Sequence, residues 1–465
     1  EGSPTQLTLA GERLFWVQMH DRIGRLHRVS FPESPPETAH PLPFAESVNA
    51  GQLAAAVDKN DTRWLAVQDW SGRRVGISLW CGGGDDWARV WTETGSEGFA
   101  ARPALAPTSE GVLLAWDVEA DGDWWVEIAR FNPKKGMADR QRLPVPDGFR
   151  ETLPALAIAG DGTAYVARCR ERLVELEGGA ASWHSELVVG RPKGKAFDDL
   201  AEVNIDDYMN PWLSPYLGHR RWPMLLPTET GCWLLWEEQR KPGPDAAGPD
   251  WQNPTGRLCG LEIAPDGTHA RPVVVVDEAA KFVLETGGTP AKIGVASRVY
   301  PGPFGRYEPW LFRDIALATG TTSRPGATRS DNRSAPPFHL RSPREKRPSA
   351  RIDGEEYRLF FGDPHIHSCV SQDLDGEPDE QLLFARDVAG LDFAALSEND
   401  YHWFTANRLS PSGLQRVCRL HNRLNEPGRF TTLNGYEYTH SGDARRDGSS
   451  GYGHRSVLYP GDDEE

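Results

Sequence analysis

RPALAPTSEGVLLAWDVEADGDWWVEIARF, residues 102–131, decides the reading of the fold. A short apolar segment is followed by a polar turn ending in Gly111, an apolar strand through Trp116, a second turn at Asp121-Gly122 and a third, aromatic strand. The same order recurs in TLPALAIAGDGTAYVARCRERLVELE (152–177) and in WPMLLPTETGCWLLWE (222–237), which is continued by RLCGLEIAPDG (257–267). It also precedes the quoted stretch, in TQLTLAGERLFWVQMHDRIGRLHRVSF (5–31) and GQLAAAVDKNDTRWLAVQDWSGRRVGISLW (51–80). Unit starts fall roughly every 50 residues, with a longer gap before the fifth, and repeats of about 40–50 residues made of short strands are the mark of a β-propeller. One such sheet cannot cover both its faces. Stacking sheets around an axis does, with large aromatics filling the wedges between them. Five units are plain, and strand-like pieces in IGVASRVYPGPFGRYEPWLFRDIAL (293–317) supply a sixth, so five or six blades are expected.

Composition sets outer bounds. The chain has 465 residues, a net charge of −16, 38% hydrophobic and 25% charged residues. That is enough apolar material for real cores and too much length for one ordinary domain. The acidic balance argues against general nucleic-acid binding, which needs a basic face. No apolar run approaches the roughly 18 residues of a membrane span; Val273–Val276 is strand-sized. The six cysteines are scattered without a CxxC pair, which reads as free buried thiols rather than a disulfide scaffold or zinc ribbon. The chain starts at Glu1 without a leader pattern, as a processed protein or fragment would. An extracytoplasmic location is expected over a cytoplasmic one, by association with other propeller–hydrolase chains.

Tryptophan divides the chain: 16 of the 17 precede residue 311. Residues 321–351 are rich in Pro, Ser and Arg, with eight basic side chains against two acidic, a composition that cannot pack a core. The expected organisation is therefore multi-domain: an all-β propeller over 1–320, a linker over 321–352 and a distinct domain over 353–465. An insertion at 191–221 is longer than a normal blade loop and is either a functional loop or a decoration.

The last region alternates strand and helix. Tyr357–Phe361 reads as a strand running into GDPHIH (362–367), Glu380–Ala389 and Pro411–Asn425 have helical spacing, and Asp392–Leu396, Phe430–Leu433, Tyr436–Tyr438 and Ser456–Tyr459 read as strands. That order is the start of an α/β barrel. In an extended segment alternate side chains share a face, so Asp363, His365 and His367 project together. Two imidazoles at i and i+2 can grip one metal ion while a carboxylate orients them. Later strand ends carry Glu398, Asn399 and Asp400, then Glu437, then His454. Polar, metal-competent groups at successive strand termini are the pattern of a barrel active site.

Four motifs in order, HIHSCVSQDLDG (365–376), SEND (397–400), GYE (435–437) and GH (453–454), make residues 357–459 resemble the polymerase-and-histidinol-phosphatase (PHP) superfamily of metal-dependent phosphoesterases. The resemblance implies a partial PHP-type β/α barrel, truncated at Glu465. It implies His365, His367, Glu437 and His454 as ligands of two divalent ions (Zn, Mn or Fe), and Glu437, Asp363 and Asp400 in the catalytic machinery, with Asp363 beside the ligands. It implies a phosphoester or other small-molecule substrate. The family's T-D-H reads Ser397-Glu398-Asn399 here, and Asp373, Asp375, Asp400 or His402 could partly substitute for the missing histidine. The propeller would then recognise substrate, or a protein or carbohydrate partner. Two other readings start from the same residues: a non-catalytic propeller module with a degenerate or incomplete metal site, and a glycosidase-like propeller with paired carboxylates and an arginine cluster on its axis.

Overall fold

The computed structural model describes residues 7–10, 13–20, 23–30, 37–41, 48–60, 62–69, 75–83, 86–93, 99–175, 181–194, 196–204, 223–239, 256–269, 272–276, 280–285, 292–297, 311–317, 347–368, 377–402, 407–408, 411–440 and 453–459. The chain divides into two compact units, Glu1–Met209 with Arg221–Phe338, and Asn210–Arg220 with His339–Glu465.

The first unit carries six consecutive antiparallel sheets among the described residues. They are β1–β4 (Leu7–Ala10, Arg13–His20, Ile23–Ser30, Glu37–Pro41) and β5–β8 (Val48–Val57, Arg63–Asp69, Gly76–Gly83, Asp86–Thr92). Next come β9–β12 (Phe99–Pro107, Val112–Ala120, Asp123–Asn132, Gly136–Arg142) and β13–β16 (Arg150–Ile158, Ala164–Glu175, Ala181–Lys193, Ala196–Asn204). The last two are β17–β20 (Met224–Pro227, Cys232–Gln239, Gly256–Ile263, Val273–Val276) and β21–β23 (Ala280–Glu285, Lys292–Ser297, Leu311–Ala316). In each sheet every strand pairs with the next in sequence. Sheets follow one another through contacts of β1 with β5, β5 with β9, β9 with β13, β13 with β17 and β19 with β21. Strand β21 also lies against β1, so the series returns on itself. This is a propeller-like all-β fold.

The third sheet shows why these sequences need such a ring. Along β10, Val112, Leu114, Trp116 and Val118 join a core with Trp64 and Ile77 of the preceding sheet. The alternate residues Leu113 and Ala115 join Leu156 and Val166 of the following sheet. Both faces are buried, so the strand reads as an almost continuous apolar run. Trp116 is fully buried and its ring lies 5.4 Å from that of Trp91. Trp116→Ala should cost about 3–5 kcal/mol of stability, measured as a fall in denaturant midpoint. The same change at exposed Met137 should be near neutral.

The repeated x-Pro-Ala-Leu-Ala motif has a structural counterpart. Arg102 and Leu153 precede Pro103 and Pro154 in β9 and β13, and both take positive φ, 48° and 56°. Asp117 Oδ2 accepts Arg102 Nε at 2.6 Å and the backbone N–H of Leu153 at 3.0 Å. One buried carboxylate thus fixes the same bend in two neighbouring sheets and ties them together.

Two details differ from the sequence reading. Residues 196–204, read as insertion, form β16, the fourth strand of its sheet; acidic residues on a half-exposed outer strand look like loop in sequence. The remainder, 205–221, lies outside the described residues, as does 321–346 of the linker. The end of the linker stretch is ordered: β24 (Ser349–Ile352) pairs with β25 (Glu355–Arg358), and Arg347 Nε donates to Asp392 at 3.0 Å. Cys81, Cys169, Cys232, Cys259 and Cys418 are thiols outside any disulfide, as expected, and burial pushes Cys232 up to about 12. No helix among the described residues is long and apolar enough to cross a membrane.

The second unit continues with β26 (Gly362–Ile366), α1 (Pro378–Leu383) running into a π-helical turn at Phe384–Val388, and β27 (Phe393–Leu396). Short β28 (Tyr401–His402) and β29 (Asn407–Arg408) pair before α2 (Pro411–Leu424), β30 (Thr431–Thr432), β31 (Asn434–His440) and β32 (Gly453–Tyr459). Strands β26, β27 and β30 form a parallel sheet, with helices in the crossovers. Leu382, Leu383, Val417, Leu420 and Leu424, the apolar positions of the helical spacing, are buried. The apolar run Leu359–Phe361 lies between β25 and β26 and is exposed, so the strand that bears the histidines is Gly362–Ile366 itself. Gly362 permits its close seat: a Cβ there would meet the Phe393 ring at 2.4 Å.

His421 pins α2 to this sheet. Its Nε2 accepts the Leu396 N–H at 3.0 Å, so Nδ1 carries the hydrogen offered to Asn434 Oδ1 at 3.1 Å. Burial holds its pKa down to about 4. The unfolded imidazole protonates near 6.5. Stability is therefore complete above pH of about 6.5 and is lost as pH falls toward 4, by about 3 kcal/mol in total. Denaturant unfolding at pH 7.5 and 4.5 should show this loss, and His421→Gln should remove that part of the pH dependence.

Candidate metal centre

Two strand ends build the site. On β26, Asp363 Oδ1 accepts the backbone N–H of His365 at 2.9 Å, a local turn that shapes the chain just before the first histidine. Beyond β27 the chain meets β31: the Glu437 N–H donates to the Glu398 carbonyl at 2.9 Å, and the Asp400 N–H donates to the Glu437 carbonyl at 2.9 Å. Asn399 and Glu437 form the parallel bridge between them. Strand β32 pairs antiparallel with β31, placing Ser456 opposite Glu437. The strands therefore run β26, β27, β31, β32 across the array. Side chains from its first and last members still touch: His365 Nδ1 lies 2.7 Å from Ser456 Oγ. Only a strongly curled array allows that, since flat neighbours stand about 4.8 Å apart per strand.

Inside the curl the donor atoms converge. His365 Nε2 and His367 Nε2 are 3.1 Å apart. His367 Nε2 is 3.3 Å from Glu437 Oε2, and His365 Nε2 is 3.8 Å from Glu437 Oε1. One donor atom from each of the three residues lies within 4.8 Å of the others. His454 Nδ1 stands 3.0 Å from Glu437 Oε1, so the carboxylate faces imidazoles with both oxygens. Side-chain exposure rises from 6% at Glu437 and 13% at His367 to 42% at His365 and 54% at His454. The carboxylate is the floor and the imidazoles form an open rim.

This donor set fits a divalent ion. Two imidazole nitrogens facing each other need a hydrogen or a cation between them. Donors about 2.0–2.1 Å from a tetrahedral ion stand about 3.3 Å apart, the range found here. Mixed nitrogen and carboxylate ligation suits Zn, Mn or Fe over Ca.

Of the residues marked in sequence, His365, His367, Glu437 and His454 are brought together. Asp363 engages backbone, as described, and Asp400 meets Glu437 through its backbone N–H. Asp373 and Asp375 lie outside the described residues, as does the side chain of His402. Two contributors have roles that the sequence reading did not give them. Glu398 is fully buried and its two oxygens take the Ser368 hydroxyl and, at 3.1 Å, the Ser368 N–H, fixing the chain one residue past His367. Ser456 is the other; its sequence signal is its place two residues after His454, on the same strand face.

Among the described residues of the first unit, Arg168 and Arg170 form a charged group with Glu151, Asp199 and Glu202. Arg170 lies 2.7 Å from both Glu151 and Asp199, and 2.9 Å from Glu202. Burial alone would raise the Asp199 carboxyl, but the two guanidinium groups outweigh it and hold it below its ordinary range. A carboxyl held ionised in this way, as Asp199 is, makes a poor general acid.

No protein-family model and no curated protein matches the sequence. Solved structures do. The α-L-arabinanase of Penicillium chrysogenum aligns at 10% identity and TM-score 0.38, over 61% of this chain and 85% of its own. Polysaccharide lyase Uly1 aligns at 10% identity and TM-score 0.36, over 76% and 85%. A protein of unknown function from Dyadobacter fermentans aligns at 12% identity and TM-score 0.36, over 58% and 83%. At this level the likenesses carry no argument about activity, and the fold stands on the sheet order and contacts above.

Proposed function

We propose that the second unit is a metal-dependent hydrolase acting on a phosphate ester, with its ions held by His365, His367, Glu437 and His454. The observation that carries this is the convergence of the His365 and His367 imidazoles, on and just past β26, and the buried β31 carboxylate within 4.8 Å. A PHP-type barrel, of which β26 to β32 would be the first part, is the scaffold this reading adopts. Divalent ions bound there supply Lewis acidity for a phosphoryl group and a nucleophilic water at neutral pH. The protein's share is geometric. Glu437 offers one oxygen toward His367 and the other toward His365 and His454, so one carboxylate can serve two adjacent cations. The exposed rim leaves room for a substrate on the imidazole side. The propeller-like unit would recognise the substrate or a protein or carbohydrate partner, in an extracytoplasmic setting.

A second reading is a recognition module that holds metal without turnover. Asn399 favours it, standing buried where the resembled family carries a histidine. The two separate on hydrolysis of a generic aryl phosphodiester by the full chain with added Mn²⁺: turnover supports the first reading, and its absence in metal-loaded protein supports the second.

A further inference from the structure

We infer that Ser456 is a positioning residue for the metal centre: its hydroxyl holds the His365 ring so that Nε2, not Nδ1, is offered to the ion. The inference rests on the metal reading above and deepens it.

His365 can turn about its side-chain bonds, and its ring is 42% exposed, so packing alone does not fix its orientation. Two contacts do. At one edge Nδ1 lies 2.7 Å from Ser456 Oγ; at the other, Nε2 faces His367 Nε2 at 3.1 Å and Glu437 at 3.8 Å. The two imidazoles meet edge to face, at 84° with centroids 4.8 Å apart. A nitrogen that binds a cation must carry a lone pair, so the ring hydrogen of neutral His365 belongs on Nδ1. Nδ1–H then donates to Ser456 Oγ, which fixes both the tautomer and the ring plane. Metal-binding histidines usually spend their second nitrogen in this way, and losing the outer partner costs about 10–100-fold in metal affinity.

Position on the strand makes Ser456 suited to the task. It is the cross-strand neighbour of Glu437 and sits two residues from His454, so it shares their face of the sheet. The hydroxyl links β26 to β32 directly. Without it, His365 would lose this contact with the far strand.

The test uses the full chain, loaded with Zn²⁺ or Co²⁺ alone. Ser456→Ala should weaken ion affinity about 10–100-fold, and Ser456→Thr, which keeps the hydroxyl, should restore most of it. Nitrogen-15 NMR of the His365 ring should show hydrogen on Nδ1 in the parent and in Ser456→Thr, and a mixture of tautomers in Ser456→Ala. A Co²⁺ visible spectrum should change in Ser456→Ala and recover in Ser456→Thr. Equal affinity and an unchanged tautomer in Ser456→Ala would overturn the inference while leaving the metal centre standing. A parent protein that binds no ion would instead remove the metal reading itself. Covalent labelling of Ser456 by a fluorophosphonate would also overturn the inference, since it would make the hydroxyl a nucleophile.

Discussion

Replacing His365 and His367 together by alanine should empty the protein of its divalent ion. The two Nε2 atoms supply two of the three donors that converge within 4.8 Å, leaving only Glu437 of that set. Outer partners of a metal centre are worth about 10–100-fold in affinity, so losing two direct donors should exceed a hundredfold. Folding should survive, because the His365 ring is 42% exposed and neither ring belongs to an apolar core cluster of the described residues. Elemental analysis after dialysis, with circular dichroism as a folding check, would read both outcomes. Equal metal in the variant and the parent would place the ion elsewhere and end this account of the site.

The second large effect is expected from Glu437→Gln. The change keeps shape and removes one charge from a side chain that is 6% exposed and lies within 3.0–3.8 Å of three imidazoles. An amide offers one oxygen where the carboxylate offers two, so it cannot face His367 and His454 with equivalent donors. Turnover of an aryl phosphodiester should fall by more than about a hundredfold in kcat, with thermal midpoint little changed. Activity unaffected by this substitution would refute a catalytic centre here and favour the recognition module. Retained metal with lost turnover would assign Glu437 to the chemistry rather than to simple binding.

How much of this was readable from sequence follows from the range of the interactions. The propeller-like units were legible because each is a local object, apolar strand, turn and aromatic strand, repeated along the chain. Strand β16 was missed because its acidic residues lie on an outer strand that packs on one side only. The histidine pair was legible from the period of two along β26. Its strand was placed too early, since Leu359–Phe361 is apolar yet exposed, and an apolar run alone does not say which side is covered. Glu437 and His454 stood out through the motif order that carries the family resemblance. The roles of Ser368, Glu398 and Ser456 were invisible for a physical reason, although Glu398 itself was marked as an oxygen donor. Their role depends on which distant strands the curled sheet brings within 3 Å, and serine next to a ligand is too common to be a signal. His421 was likewise hidden, since its spacing marks it only as a polar position on a helix.

The most direct test of the central claim is anomalous scattering from crystals of the full chain grown with Mn²⁺ or Zn²⁺. The account predicts a peak bounded by His365 Nε2, His367 Nε2 and the Glu437 carboxylate, about 2.0–2.3 Å from each. A fully loaded crystal whose anomalous peaks all lie away from these three side chains would contradict it.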